Sequence, residues 1–145
     1  MKKMFVSFAT MMIAGLSFAN ENPDPGLPVL NGFKKEFSTA ENVTWDKQDE
    51  FDKASFLLAG KRVVAYFNTS GELEGCVRDL FFDQLPLAVM TAVDKRYGSA
   101  DIIDVREITN GDGTSYRLTL ETKNRKVRVK VLPDGTVSVL ERTAK

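Results

Sequence analysis

Residues 62–71 read Arg-Val-Val-Ala-Tyr-Phe-Asn-Thr-Ser-Gly, and residues 126–135 read Lys-Val-Arg-Val-Lys-Val-Leu-Pro-Asp-Gly. In each stretch an apolar residue returns at every second position: Val63, Ala65 and Phe67 in the first, Val127, Val129 and Val131 in the second. Both stretches run into a polar turn that ends on glycine, Gly71 and Gly135. A period of two is the mark of a strand with one face on a core and one turned away from it. The two glycines lie 64 positions apart, as do the paired apolar residues, so the same strand-and-turn unit is written twice.

Working outward, the first half predicts strands over 42–48, 51–59, 62–68 and 72–79, with turns at Gly60-Lys61 and Thr69-Ser70-Gly71. Ahead of them Leu30, Phe33 and Phe37 recur at helical spacing, giving a short amphipathic helix that ends near Ser38-Thr39. The second half predicts a helix from an N-cap at Asp83, with Pro86 in its first turn and Val89, Val93 and Tyr97 on one face. Strands over 102–109, 114–122, 126–132 and 136–141 follow it. Helix spacing agrees between the halves at an offset of 60, Phe33 and Phe37 against Val93 and Tyr97, and the offset becomes 64 after the longer 110–113 hairpin. The expected architecture is α+β, a tandem α-β-β-β-β repeat with each helix on one face of a four-stranded antiparallel sheet. The expected boundaries are 29–82 for the first repeat and 83–145 for the second, in one compact domain.

The N-terminus reads as an address. Lys2 and Lys3 form a basic start, an apolar run extends from Met4 to Leu16, and Ser17-Phe18-Ala19 supplies small residues for a signal peptidase. This is the pattern of a secretory signal over 1–19, cleaved after Ala19. The run is shorter than the roughly 20 residues a bilayer span needs, so no stable membrane anchor is expected. Residues 20–28, with three prolines and a glycine, read as a flexible leader. A periplasmic or secreted protein follows.

Composition removes several chemistries. Of 145 residues none is His and one is Cys, so Ser-His-Asp and Cys-His nucleophiles, histidine zinc sites and multi-cysteine frameworks are excluded. Lys+Arg and Asp+Glu number 20 each, and losing residues 1–19 takes away Lys2 and Lys3 and no acid, so the balance moves to −2. A nucleic-acid partner, which needs a clear basic excess, is not expected. Acid pairs such as Asp79 with Asp83, or Asp101 with Asp104, have the residue type that glycosidase chemistry uses, and nothing in the pattern suggests a cleft between them. Asp112 beside Asn110 lacks the twelve-position ligand pattern of a calcium loop and reads as a turn. No enzyme, metal or cofactor is expected. Cys76, the lone thiol, cannot form an internal disulfide.

The ordered elements Phe33-x3-Phe37, Asn42-Val43-x-Trp45, Phe51-x2-Ala54-x-Phe56, Ala65-Tyr66-Phe67, Gly71-Glu72-Leu73, Leu85-Pro86 and Val93-x3-Tyr97 resemble an exported family described as PepSY-like or β-lactamase-inhibitor-protein-like. The resemblance runs across essentially the whole chain after the signal. It implies a tandem α+β fold with a sheet open on one side and a non-catalytic role. It carries no inhibitory residue onto this chain.

Alternation sorts the outward side chains. In the second half Leu118, Leu120, Val127, Val129, Val131, Val137 and Val139 turn inward, while Arg117, Thr119, Glu121, Lys126, Arg128, Lys130 and Ser138 turn outward. In the first half Ala54, Phe56, Val63, Ala65, Phe67, Leu73 and Val77 are expected inward, with Trp45 beside them in the core. The outward set there is apolar where the sister half is charged: Leu57, Val64, Tyr66 and Cys76, rimmed by Lys53 and Glu74. That patch is the first candidate site, a small interface for a protein or peptide partner with Tyr66 as its aromatic anchor. Cover by the leader, curvature of a shared sheet, or homodimerisation would bury the same patch. The second candidate is Arg117, Lys126, Arg128 and Lys130, a basic face for an anionic ligand or an envelope surface. A third possibility is a self-associating structural protein.

Overall fold

The computed structural model describes residues 24–145. The signal segment 1–19 and leader residues 20–23 lie outside the described residues.

Among the described residues two α-helices and eight strands follow one another as helix, four strands, helix, four strands. Helix α1 is Leu27–Glu36 and helix α2 is Leu87–Tyr97; the strands are β1 (Glu41–Gln48), β2 (Phe51–Leu58), β3 (Lys61–Phe67), β4 (Leu73–Asp79), β5 (Asp101–Asn110), β6 (Gly113–Glu121), β7 (Arg125–Val131) and β8 (Val137–Ala144). The strands form one antiparallel sheet in chain order, β1 through β8, so each strand pairs with the next and the two groups of four join through β4 and β5. The sheet is continuous across the halves, where a four-stranded sheet for each half was expected, because β4 pairs with β5.

Helix α1 begins earlier than the periodicity indicates. Pro28, read as leader, lies in its first turn, where a missing N–H costs nothing, and Lys34 and Lys35 close its last turn against the helix dipole. Pro25 is buried, and residues 24–26 lie against Lys47, Asp52 and Thr69 on the helix-bearing face of the sheet. The described part of the leader therefore covers none of the opposite face. Helix α2 begins later than expected. Asp83 is not its N-cap but part of a single 3-10 turn, Phe82–Gln84, in which the Gln84 side chain accepts the Phe81 N–H at 2.8 Å. Pro86 holds the residue before it, Leu85, extended at ψ 153°, so the helix starts only after the proline.

Both helices pack on the same sheet face. Val29 and Phe33 of α1 bury Ala54, Phe56, Val63, Ala65 and Phe67, with Trp45 and Phe37 closing the cluster. Val89 and Val93 of α2, with Leu85, bury Val105, Tyr116, Leu118, Leu120, Val127, Val129 and Val131. The inward sets expected in β2, β3, β6, β7 and β8 are thus found, Trp45 included. Arg78 and Glu107 pair at 3.0 Å on this face, where β4 meets β5.

Strand β4 departs from the expected parity. Phe67 pairs with Leu73 but Tyr66 pairs with Gly75, which leaves Glu74 as an extra residue in a β-bulge. One added residue inverts every side chain after it. Cys76 therefore lies opposite Ala65 and packs against the first core, while Val77 lies opposite Val64 on the outward face. Leu73, expected to be buried, is 38% exposed.

Each helix is seated on the turn that follows the third strand of its group. A Cβ added to Gly71 would collide with the Pro28 carbonyl oxygen, and one added to Gly32 with the Gly71 carbonyl oxygen. In the second group Gly135 approaches the corresponding pair, with the Ala88 carbonyl oxygen 3.0 Å and the Ala92 Cβ 3.5 Å from such an added atom. Gly71 and Gly135 both have positive φ, 83° and 91°, so glycine answers the turn and the close approach at once.

Candidate functional site

With both helices on one face, the other face of the sheet carries no second layer among the described residues. Its side chains fall into cross-strand rows. One row runs Ser55, Val64, Val77, Ile108, Ser115 through β2 to β6. The next runs Asp79, Arg106, Arg117, Lys130, Ser138 through β4 to β8. A third runs Asp104, Thr119, Arg128, Glu141. An apolar line in the middle of the sheet is therefore flanked by a line of cations.

These rows enclose a groove of about 310 Å³. Val64, Tyr66, Val77 and Ile108 give it an apolar side, Lys53, Arg62, Arg106, Arg117 and Arg128 give it five cations, and Asp104 is its one carboxylate. Val64 is only 9% exposed, so the floor is recessed behind the long side chains around it. Tyr66 also lines a second hollow with Gln48, Asp49, Phe51, Glu74 and Gly75, so its ring separates the two.

Charge on this face is unevenly satisfied. Arg106 reaches Asp104 at 3.2 Å and Asp79 at 3.6 Å, and Arg128 reaches Glu141 at 3.1 Å. Among the described residues Lys53, Arg62, Arg117 and Lys130 form no ion pair. Asp79 and Asp104, each half of an acid pair in the sequence, are both engaged by Arg106. Glu121 is held by Lys145 at 2.6 Å, which keeps its carboxyl below the usual range.

Two surfaces expected to be separate meet here. Lys53, Val64 and Tyr66 from the first candidate and Arg117 and Arg128 from the second line the same groove. Lys130 stands beside it, directly opposite Arg117, while Lys126 lies farther along β7 opposite Glu121. Leu57 is on the same face but nearer the β1 edge, between Glu41 and Arg62, and does not line the groove. Glu74 belongs to the second hollow, where its carboxylate accepts from the Asn68 amide at 2.8 Å. Cys76 is on the other face and leaves the candidate site; burial pushes its thiol up.

Arg62, Arg106, Val77, Ile108 and Leu140 also line the groove and belong to neither sequence-derived candidate. Arg62 was legible, since it shares parity with Val64 two positions on. Val77 is hidden by a bulge, Glu74 being the extra residue in β4, whereas Leu140, the extra residue where Val129 pairs with Val139 and Arg128 with Glu141, shares the outward parity of Ser138 and was legible. The turn residues have local work. Asn68 Oδ1 accepts the N–H groups of Ser70 and Glu72, both at 3.0 Å, and Asn110 Oδ1 accepts that of Asp112 at 2.9 Å, so Asp112 serves a turn.

No protein-family model and no curated protein sequence matches the chain. Solved structures do. A BLIP-like protein from Bacteroides fragilis superposes with a TM-score of 0.70 at 21% identity, over 83% of this chain and 86% of that one. A DUF2874 family protein from Bacteroides ovatus gives 0.72 at 22% identity, over 83% and 88%. A protein described as periplasmic from Bacteroides eggerthii gives 0.72 at 18% identity, over 83% and 89%. At these identities the likeness establishes a shared fold, the open-sheeted one that the resemblance to β-lactamase-inhibitor-protein-like chains implies. None of the three carries the PepSY name. Among the described residues no helix is long and apolar enough to cross a membrane.

Proposed function

We propose that the chain is an exported, non-catalytic binding protein that holds a protein or peptide partner on the open face of its sheet. The groove carries this reading. It joins a recessed apolar floor to a rim of cations, the composition of a small interface core with a polar surround, on a face that no described element covers. A large aromatic side chain, Tyr66, stands at its wall as an anchor.

Export rests on the basic start, the apolar run and the cleavage pattern ending at Ala19, and a structural neighbour described as periplasmic is consistent with it. A non-catalytic role fits the groove's ionisable groups, which are Lys, Arg and Tyr with one ion-paired carboxylate and no adjoining nucleophile and base. The structural neighbours bear BLIP-like and DUF2874 descriptions, neither of which names an enzyme activity. We also read the two groups of helix and four strands as a tandem repeat. Supporting this are the shared element order and the equivalent seating of Gly71 on Pro28 and of Gly135 on Ala88, at the same offsets as the sequence pairing.

The test is capture by immobilised, signal-free protein from a cell-envelope extract of the source organism, followed by binding of the identified partner in purified form. The wild type is expected to bind, and Tyr66→Asp to lose binding while its melting temperature stays within a few degrees. Equal binding by the variant overturns the reading. A wild type that light scattering shows to be a dimer, converted to monomer by Tyr66→Asp, would replace the foreign partner with a second copy.

A further inference from the structure

Resting on the binding role above, the geometry points to the chemistry of the occupant: we propose that the groove takes an extended acidic segment of another protein. Its carboxylates lie over Arg62, Arg117 and Lys130, and its apolar side chains lie on Val64, Val77 and Ile108.

Charge is the first argument. Arg106, Arg117 and Lys130 are direct cross-strand neighbours, three cations in a row, and only Arg106 has a carboxylate partner within the described chain. Like charges directly opposite each other destabilise a sheet. Lys53, across the apolar row, and Arg62, on the Arg106 side of it, add two more cations that form no ion pair among the described residues. A whole chain balanced at zero before signal removal thus concentrates unpaired positive charge on one face. Anions are drawn to such a surface, and guanidinium groups bind carboxylates bidentately.

The floor is the second argument. Val64, Val77 and Ile108 are consecutive cross-strand partners, so three aliphatic side chains form one unbroken strip beneath the cations. A small inorganic anion leaves that strip unused. A flat headgroup layer does not reach a floor whose Val64 is 9% exposed.

Length selects a polypeptide. From Lys53 on β2 to Lys130 on β7 the site crosses five inter-strand spacings, about 24 Å at ~4.8 Å each, which is roughly seven extended residues at ~3.3 Å. Recognition is by side chains, because the backbone groups of β2 to β7 are engaged with strands on both sides. Alternation in an extended segment puts successive side chains on opposite sides, which suits a mixture of acidic and apolar residues meeting a cationic rim and an aliphatic strip.

The experiment is selection of random peptides displayed on phage against the signal-free protein, with binding of the selected peptides read by fluorescence anisotropy. Selected peptides are expected to combine at least two Asp or Glu with aliphatic residues, to lose about tenfold or more in affinity between low and high salt, and to fail on Arg117→Glu/Lys130→Glu. Arg62→Glu, at an exposed position, repeats the test if the double variant does not fold. Neutral or basic selected peptides, no enrichment, or acidic peptides bound equally by the charge-reversed variants would overturn the proposal. So would displacement of the peptide by inorganic phosphate, or by vesicles containing anionic lipid, at the concentrations that bind phosphate or vesicles to Arg117→Glu/Lys130→Glu equally well. If the Tyr66→Asp capture test succeeds while the acidic peptides fail, only the partner's chemistry is wrong; if Tyr66→Asp captures as well as wild type, the binding face itself is wrong.

Discussion

Arg117 and Lys130 face each other directly across β6 and β7, with Arg106 on the far side of Arg117. A sheet selected for stability alone would place opposite charges there, and the corresponding position in β3 carries Tyr66 instead. Lys130→Glu converts the clash into a pair and is expected to raise stability by about 0.2–1 kcal/mol. Urea denaturation of the two proteins measures it. A Lys130→Glu protein no more stable than wild type would mean that solvent already screens the row, and the energetic case for an anionic occupant would weaken with it.

The seating of α1 on the β3–β4 turn makes a prediction of sign. Gly→Ala inside a helix ordinarily stabilises by roughly 0.5–1 kcal/mol. Gly32→Ala is expected to destabilise instead, because the new methyl meets the Gly71 carbonyl oxygen. Gly71→Ala adds strain at φ 83° to a backbone collision, whereas Gly60→Ala, at φ 75° with nothing within 4 Å of the added atom, carries the strain alone. Strained φ costs of order 1–3 kcal/mol, so Gly60→Ala should fall in that range and Gly71→Ala beyond it. Equal melting temperatures for the two variants would show that the helix shifts freely away from the turn.

Strand alternation made most of this fold readable in advance, because a period of two in residues 62–67 and 126–131 survives any detail of the loops. Parity failed only where a bulge intervened. Glu74-Gly75-Cys76 has no apolar alternation that would announce an extra residue, so uninterrupted alternation puts Cys76 outward and Val77 inward, and the structure reverses both. The groove was half legible. Alternation puts Val64, Tyr66, Arg117 and Arg128 on the open face, where the structure has them, but they come from opposite halves of the chain. Only the pairing of β4 with β5, which joins the halves into one sheet, brings them to a common site.

That same β4–β5 pairing predicts cooperative unfolding. Phe33 lies within 5.1 Å of the Phe56 ring and 5.2 Å of Trp45 in the first core, while Leu120 is fully buried in the second. Phe33→Ala is expected to cost roughly 3–5 kcal/mol and Leu120→Ala roughly 2–5 kcal/mol. Trp45, the only tryptophan, reports on the first core alone. In both variants its fluorescence transition should coincide with loss of far-ultraviolet circular dichroism, as in a two-state domain. Separate transitions in Leu120→Ala, with the second half melting before Trp45 responds, would divide the chain into two units.

Cys76 supplies a pH test of the corrected register. Burial is the largest influence on its thiol and pushes it up; Arg78 pulls it back and Glu107 adds to the rise. The folded protein thus disfavours the thiolate relative to the unfolded chain, where cysteine ionises near pH 8.5. Below that pH the contribution of the neutral thiol to stability is fully present, and it is lost as pH rises through the folded value. Tyr116, also raised by burial and by Glu107, adds a loss of the same sign nearer pH 10. Wild type is therefore expected to lose stability above about pH 8.5, and Cys76→Ala to hold steady until tyrosine ionisation begins. Native Cys76 should react slowly with a thiol reagent at pH 8 and rapidly in denaturant. Fast labelling of the native protein would place the thiol back on the open face and with it restore the uninterrupted alternation that the Glu74 bulge breaks.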